Sequence, residues 1–64
     1  MSNMLIVTTS KDGKEKNTVI VLDKIQGFQR DGHRISIFVD GSIFSVCQDL
    51  DNVWATLVGH FSAL

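Results

Sequence analysis

The chain has 64 residues, of which 44% are hydrophobic and 20% are charged, and its net charge is −1. A chain of this length is predicted to form one domain over residues 1–64, and such a domain buries only about 60% of its unfolded surface. The composition excludes a disordered chain, and apolar runs of four residues predict neither a membrane span nor a signal peptide. The single cysteine excludes an internal disulfide and favours a cytoplasmic protein.

Asp-Gly pairs divide the first two thirds of the chain into short apolar segments. Five segments rich in β-branched or alternating apolar residues are predicted as strands: residues 4–9, 18–22, 25–29, 33–39 and 42–46. Asp-Gly is favoured in two-residue type I′ turns, because both central positions need a positive φ. We therefore expect an antiparallel β-meander of about five strands.

A two-residue turn at Asp40-Gly41 would fix the register of its two strands and define two sheet faces. The core face would carry Ile35, Ile37, Val39, Phe44 and Val46. The other face would carry Ser36, Phe38, Ile43 and Ser45. The same reasoning at Asp31-Gly32 places Phe28 beside Ile35 on the core face and Ile25 beside Phe38 on the other, unless a bulge at Gly27 changes the assignment.

After Cys47 the apolar period changes from two to 3.6 residues, which is typical of an amphipathic helix. The apolar stripe consists of Leu50, Val53, Trp54, Leu57, Val58, Phe61 and Leu64. Asp49 or Asp51 is the predicted N-cap. The predicted fold class is α+β, with the meander followed by one C-terminal amphipathic helix that packs on one sheet face.

One helix can cover only one face of a sheet, yet Val19 and Val21 indicate apolar residues on both faces. On the face away from the helix we expect Ile25, Phe38 and Ile43. Burying each of these side chains would stabilise the protein by about 1.5–3 kcal/mol. We therefore predict a homodimer or higher oligomer that forms through this second face or through an edge strand. The alternatives are a tightly rolled sheet that covers both sets of residues, and apolar side chains that are simply exposed.

All Lys and Arg residues lie between positions 11 and 34. In an up-and-down meander the first hairpin tip and the Asp31-Gly32 turn lie at the same end of the sheet. That end would gather Lys11, Lys14, Lys16, Arg30, His33 and Arg34. Such a cluster could contact the phosphates of nucleic acid. A solvated charged rim is the favoured interpretation, because Asp12, Glu15 and Asp31 are interleaved with the cations.

The sequence contains no strong residue pattern for catalysis or metal binding. Cys47 could pair with His33 or His60 as a thiol and its base, but a lone cysteine commonly packs as a small hydrophobic residue. Cys47, Asp49 and His60 lack the paired ligand spacing of a zinc site, and the dispersed glycines form no phosphate-binding loop. We expect a noncatalytic protein with no cofactor and no bound metal.

The chain resembles the small FlbD-like proteins associated with bacterial flagellar operons. The resemblance lies in the order of elements: Met4-Leu5-Ile6-Val7, Asp12-Gly13-Lys14, a second strand, Ile25, Ile35-Ser36-Ile37, Asp40-Gly41 and a short helix from Leu50. It spans nearly the whole chain and implies a bacterial protein without catalytic residues.

Residues 25–61 are also similar to the first part of LytTR-type DNA-binding domains, in which strands joined by Gly turns lead through an apolar helix to a Phe. In this sequence Phe61 is followed by Ser62, Ala63 and Leu64 rather than by the basic segment that such domains use on DNA. We therefore predict a small cytoplasmic module that self-associates and binds another protein, whose identity the sequence does not give. A nucleic-acid-binding regulator is the alternative, and no membrane association is expected.

Overall fold

The computed structural model describes residues 3–62 as a five-stranded antiparallel sheet followed by one α-helix. The strands are β1 (Met4–Lys11), β2 (Lys14–Val21), β3 (Ile25–Asp31), β4 (Arg34–Val39) and β5 (Ser42–Val46). A short 3₁₀ helix (Leu22–Lys24) joins β2 to β3, and α1 (Leu50–Ser62) follows β5. The predicted α+β class is confirmed. No helix in this part of the chain is long and apolar enough to span a membrane.

The strands lie in the order β2-β1-β5-β4-β3, so two units of successive strands meet where β1 lies beside β5. This junction is short. Thr9 pairs with Val46, and the Cys47 N–H donates a hydrogen bond to the Thr8 carbonyl at 3.1 Å. β2 and β3, although consecutive in the chain, therefore form the two outer edges of the sheet.

Two of the hairpin turns have the predicted geometry. Asp12 and Gly13 have φ values of 54° and 76°, and Asp40 and Gly41 have φ values of 53° and 82°. A type I′ turn requires such positive angles at both central positions. The turn at Asp40-Gly41 pairs Val39 with Ser42, as the sequence predicts, and this register continues along β4 and β5.

The hairpin formed by β3 and β4 differs from the prediction in two ways. Its turn is made by Gly32 and His33, so Phe28 pairs with Ile37 instead of Ile35. The register also shifts between Ile25 and Gly27. This bulge inserts one residue into β3 and moves Ile25 to the face of its partner Val39, where Ile25 packs against the core. The prediction that Ile25 lies beside Phe38 on the second face is wrong.

The core lies between the sheet and α1, and we call the sheet face covered by α1 the inner face. Its buried side chains come from both layers: Val7, Ile20, Leu22, Ile35, Ile37, Val46, Val53 and Leu57. The Phe28 ring lies 5.4 Å from the Trp54 ring and 5.4 Å from the Phe61 ring, measured between centroids. These contacts confirm most of the predicted apolar stripe, although Val58 is 39% exposed. Leu64 lies outside the described residues.

The start of α1 is held by three polar contacts, one of which joins it to the sheet. Asp49 immediately precedes the helix, and its carbonyl accepts a hydrogen bond from the Val53 N–H at 3.0 Å. Its side chain accepts a hydrogen bond from the Asn52 amide at 2.9 Å. Arg30 Nη2 at the end of β3 lies 2.8 Å from Asp51 Oδ1 in the first turn of α1. This exposed ion pair is worth at most about 1 kcal/mol and chiefly orients the helix.

Replacing Gly59 with Ala is expected to raise the free energy of unfolding by up to about 1 kcal/mol, because Ala is the better helix former. A Cβ atom at this position in α1 would meet no atom within 4 Å. Gly41→Ala is the matched control. Its site is equally open, but its φ of +82° disfavours any Cβ, so this variant should lose about 1 kcal/mol. Urea unfolding followed by circular dichroism measures both changes, and a Gly59→Ala variant as destabilised as Gly41→Ala would contradict this account.

Candidate functional site

The hairpin of β1 and β2 carries a cluster of apolar side chains on the outer face, opposite α1. Ile6 pairs with Val19, and Met4 pairs with Val21, so the four side chains are neighbours. Their exposed fractions are 71% for Ile6, 56% for Val19, 54% for Met4 and 41% for Val21. We call these four residues the outer apolar patch. It exists because the strands are apolar at consecutive positions, so both of their faces are apolar.

Strand edges border the outer apolar patch on both sides. β2 is an edge strand of the sheet. On the other side, β5 ends at Val46, and the Thr8 carbonyl accepts a hydrogen bond from the Cys47 N–H. Backbone groups of alternate residues point to the same edge, so those of Ile6 point the same way as those of Thr8. Within residues 3–62, Ile6 has no strand partner on that side.

The residues predicted to mediate self-association are divided between the two faces. Phe38 and Ile43 are cross-strand partners on the outer face, and Ile43 is 65% exposed. Phe38 is half-buried and lies over Gly27, where a Cβ would be 3.7 Å from its ring. Ile25 packs against the core instead. The outer face therefore has a second, smaller apolar site at Phe38 and Ile43.

The sheet register separates the predicted basic cluster into two groups. One row of paired residues crosses four strands at Thr9, Val46, Ile35 and Arg30. β1 continues from this row to the Asp12-Gly13 turn. Because β1 and β5 are antiparallel, the Asp40-Gly41 turn at the start of β5 lies on the same side of the row. The Gly32-His33 turn lies on the opposite side of the row. The prediction that the first hairpin tip and the β3-β4 turn share one end of the sheet is wrong, because β1 pairs with β5.

The two groups of cations also differ in their contacts. Arg30 pairs with Asp51, and Arg34 Nη1 donates a hydrogen bond to Ser45 Oγ at 3.0 Å. The other group consists of Lys11, Lys14 and Lys16, which share the inner face of the first hairpin tip. None of these three lysines forms an ion pair within the described part of the chain. The continuous basic end on which the nucleic-acid alternative rested is therefore not formed.

A cleft of about 400 Å³ separates the first hairpin tip from β5. Thr9, Lys11 and Lys16 line one wall, and residues 42–45 line the other. The cleft opens because β1 and β5 diverge beyond the pair of Thr9 with Val46. At its base the Thr9 and Thr18 hydroxyl oxygens are 2.8 Å apart and hydrogen-bonded to each other. We call this feature the hairpin cleft.

Within the described residues, Cys47 is hydrogen-bonded to neither His33 nor His60. The half-buried Cys47 thiol lies 3.6 Å from the Thr8 carbonyl oxygen. His60 Nε2 lies 3.7 Å from Asp23 Oδ1, and His33 is exposed in the β3-β4 turn. In residues 3–62 no group of three His, Cys, Asp or Glu side chains is placed to hold a metal ion.

Comparisons of the chain with protein-family models, with curated proteins and with solved structures find no match. The resemblances to FlbD-like proteins and to LytTR-type domains stay predictions. The outer apolar patch and the hairpin cleft are the features of the structure that bear on function.

Proposed function

We propose that this protein is a noncatalytic interaction module that self-associates by packing the outer apolar patches of two copies against each other. The observation that carries the proposal is the contiguity of four large apolar side chains that are 41–71% exposed. Single exposed apolar residues are common on soluble proteins, whereas a contiguous apolar patch is typical of an interaction site.

A second copy of the chain fits the chemistry of the outer apolar patch. In a dimer with two-fold symmetry the same surface faces itself, so the surface must be self-complementary. Met4, Ile6, Val19 and Val21 carry no charge, so like charges do not meet at the centre of such an interface. The lone half-buried Cys47 suits a reducing compartment, and we therefore place this association in the cytoplasm.

The free energy gained by burying the outer apolar patch, set against the cost of association, favours a weak dimer. Covering the remaining exposed part of each patch residue is worth about 1 kcal/mol, or roughly 8 kcal/mol for the eight side chains of two copies. Association costs about 4–15 kcal/mol in lost freedom of movement. A standard interface covers about 800 Å² of each partner, roughly a sixth of the 4562 Å² surface of this chain. Neighbouring residues of β1 and β2 must therefore contribute to the interface.

The substitution Ile6→Glu is expected to weaken the dimer by roughly 100-fold, because it buries one unpaired carboxylate from each copy in the interface. Val58→Glu is the matched control. It adds the same charge at an exposed apolar position on α1 and should leave the dimerisation constant unchanged. Sedimentation velocity over a concentration series measures both variants, and circular dichroism checks that they fold. A wild-type protein that stays monomeric at high micromolar concentration would contradict the proposal.

Ile43→Glu tests which part of the outer face forms the interface. Ile43 is almost as exposed as Ile6 but lies on the other side of the row through Thr9 and Val46. We expect this variant to weaken the dimer by no more than about threefold, through long-range charge repulsion alone. If Ile43→Glu dissociates the dimer and Ile6→Glu does not, the interface is centred on Phe38 and Ile43, and the outer apolar patch is not the interface.

A further inference from the structure

We propose that the hairpin cleft binds an extended peptide segment that carries acidic side chains. The cleft and the outer apolar patch lie on opposite sides of the pair of Thr9 with Val46, so this proposal does not depend on self-association. It names the chemistry of the protein partner that an interaction module of this kind would take.

Within the described part of the chain, β5 has unpaired backbone groups on the side that faces the cleft. The Cys47 N–H points towards β1, and alternate residues of a strand direct their backbone groups to the same edge. Those of Ser45 and Ile43 therefore also point towards β1. Ile43 has no partner on that side among the described residues, because β1 has already diverged from β5. An unpaired strand edge binds an extended chain through main-chain hydrogen bonds.

Positively charged side chains lie beside the cleft. Lys11, Lys14 and Lys16 share the inner face of the hairpin tip, and Lys11 and Lys16 line the cleft. Glu15, the acidic residue between two of them, points to the outer face, where its Oε1 accepts a hydrogen bond from Gln48 Nε2 at 2.9 Å. None of the three ammonium groups forms an ion pair within residues 3–62. Carboxylates on a bound peptide would complement them.

The shape of the cleft favours alternating side chains on the bound peptide. Successive side chains of a strand point to opposite faces of the sheet. A peptide inserted beside β5 would direct one set of side chains to the inner face, where the lysines lie, and the other set to the outer face, where Ile43 is 65% exposed. A volume of about 400 Å³ is within the usual range for ligand pockets. The preferred segment therefore alternates acidic and apolar residues.

A peptide fits the surroundings of the cleft better than a nucleic acid. Asp12 and Asp40 lie in the two turns at this end of the sheet, and both are exposed. Their carboxylates would repel a phosphate backbone that continues past the cleft, whereas a short acidic peptide needs to contact only the lysines. Among the described residues that line the cleft, the aromatic side chain is Phe44, which is half-buried and packs against the core rather than presenting a free face for base stacking.

The test uses a short fluorescent peptide of alternating Val and Glu, and fluorescence anisotropy with the full chain. We expect saturable binding that weakens at least about tenfold in the Lys11→Gln, Lys16→Gln double variant, because two charge contacts are lost. Lys24→Gln is the matched control. Lys24 lies in the 3₁₀ helix away from the cleft, and its loss should change the affinity by less than about twofold.

Two further probes test whether binding requires the carboxylates and whether a nucleic acid binds instead. The same peptide with Gln in place of Glu should bind at least about tenfold more weakly, and a single-stranded oligonucleotide of equal length should bind more weakly than the Glu peptide. The Ile6→Glu variant should bind the peptide as the wild type does, which separates this proposal from self-association. The proposal is overturned if the wild type does not bind the Glu peptide, if the Gln peptide binds equally well, if Lys24→Gln causes the same loss, or if the oligonucleotide binds more tightly.

Discussion

The structure depends on one constraint: a single helix covers one face of a five-stranded sheet. α1 has thirteen residues, and its buried Val53 and Leu57 complete a core in which Ile35 and Ile37 have no exposed surface. The outer face receives no second layer within residues 3–62. An apolar side chain that points outward from β1 or β2 can therefore be covered only by another molecule. Met4, Ile6, Val19 and Val21 are in this position.

The short junction of β1 with β5 determines where both candidate surfaces lie. The two strands share one residue pair, Thr9 with Val46, and separate on either side of it. Where β5 has ended, one edge of β1 is left without a strand partner beside the outer apolar patch. Where β1 turns away towards Asp12, the hairpin cleft opens beside β5. A longer junction would close the cleft and pair the free edge, so the two surfaces have one structural cause.

The features that could be predicted from the sequence are those with a local physical signal. Asp40-Gly41 fixed the register of β4 and β5, because few residue pairs tolerate two consecutive positive φ angles. The change of apolar period after Cys47 located α1 in the same way. The face of Ile25 could not be predicted with certainty, since a bulge at Gly27 has no local signal beyond the glycine itself.

The pairing of β1 with β5 joins segments that are far apart in the chain, and no local pattern specifies it. For this reason the sequence predicts the basic residues at one end of the sheet, whereas the structure separates Lys11 from Arg34. The outer apolar patch did have a signal. Met4-Leu5-Ile6-Val7 is apolar without alternation, and its pairing with β2 across the Asp12-Gly13 turn aligns Ile6 with Val19.

In the proposed dimer, the outer face of β1 and β2 is covered by a second copy of the chain. Methyl NMR spectra recorded from about 10 μM to about 1 mM protein test it most directly, because the population of a weak dimer changes with concentration. A dimer formed through the outer apolar patch should show concentration-dependent chemical shifts for the methyl groups of Met4, Ile6, Val19 and Val21, and constant shifts for Val58. Methyl shifts that stay constant at all four positions, or that change only at Ile43 or Val58, would contradict it.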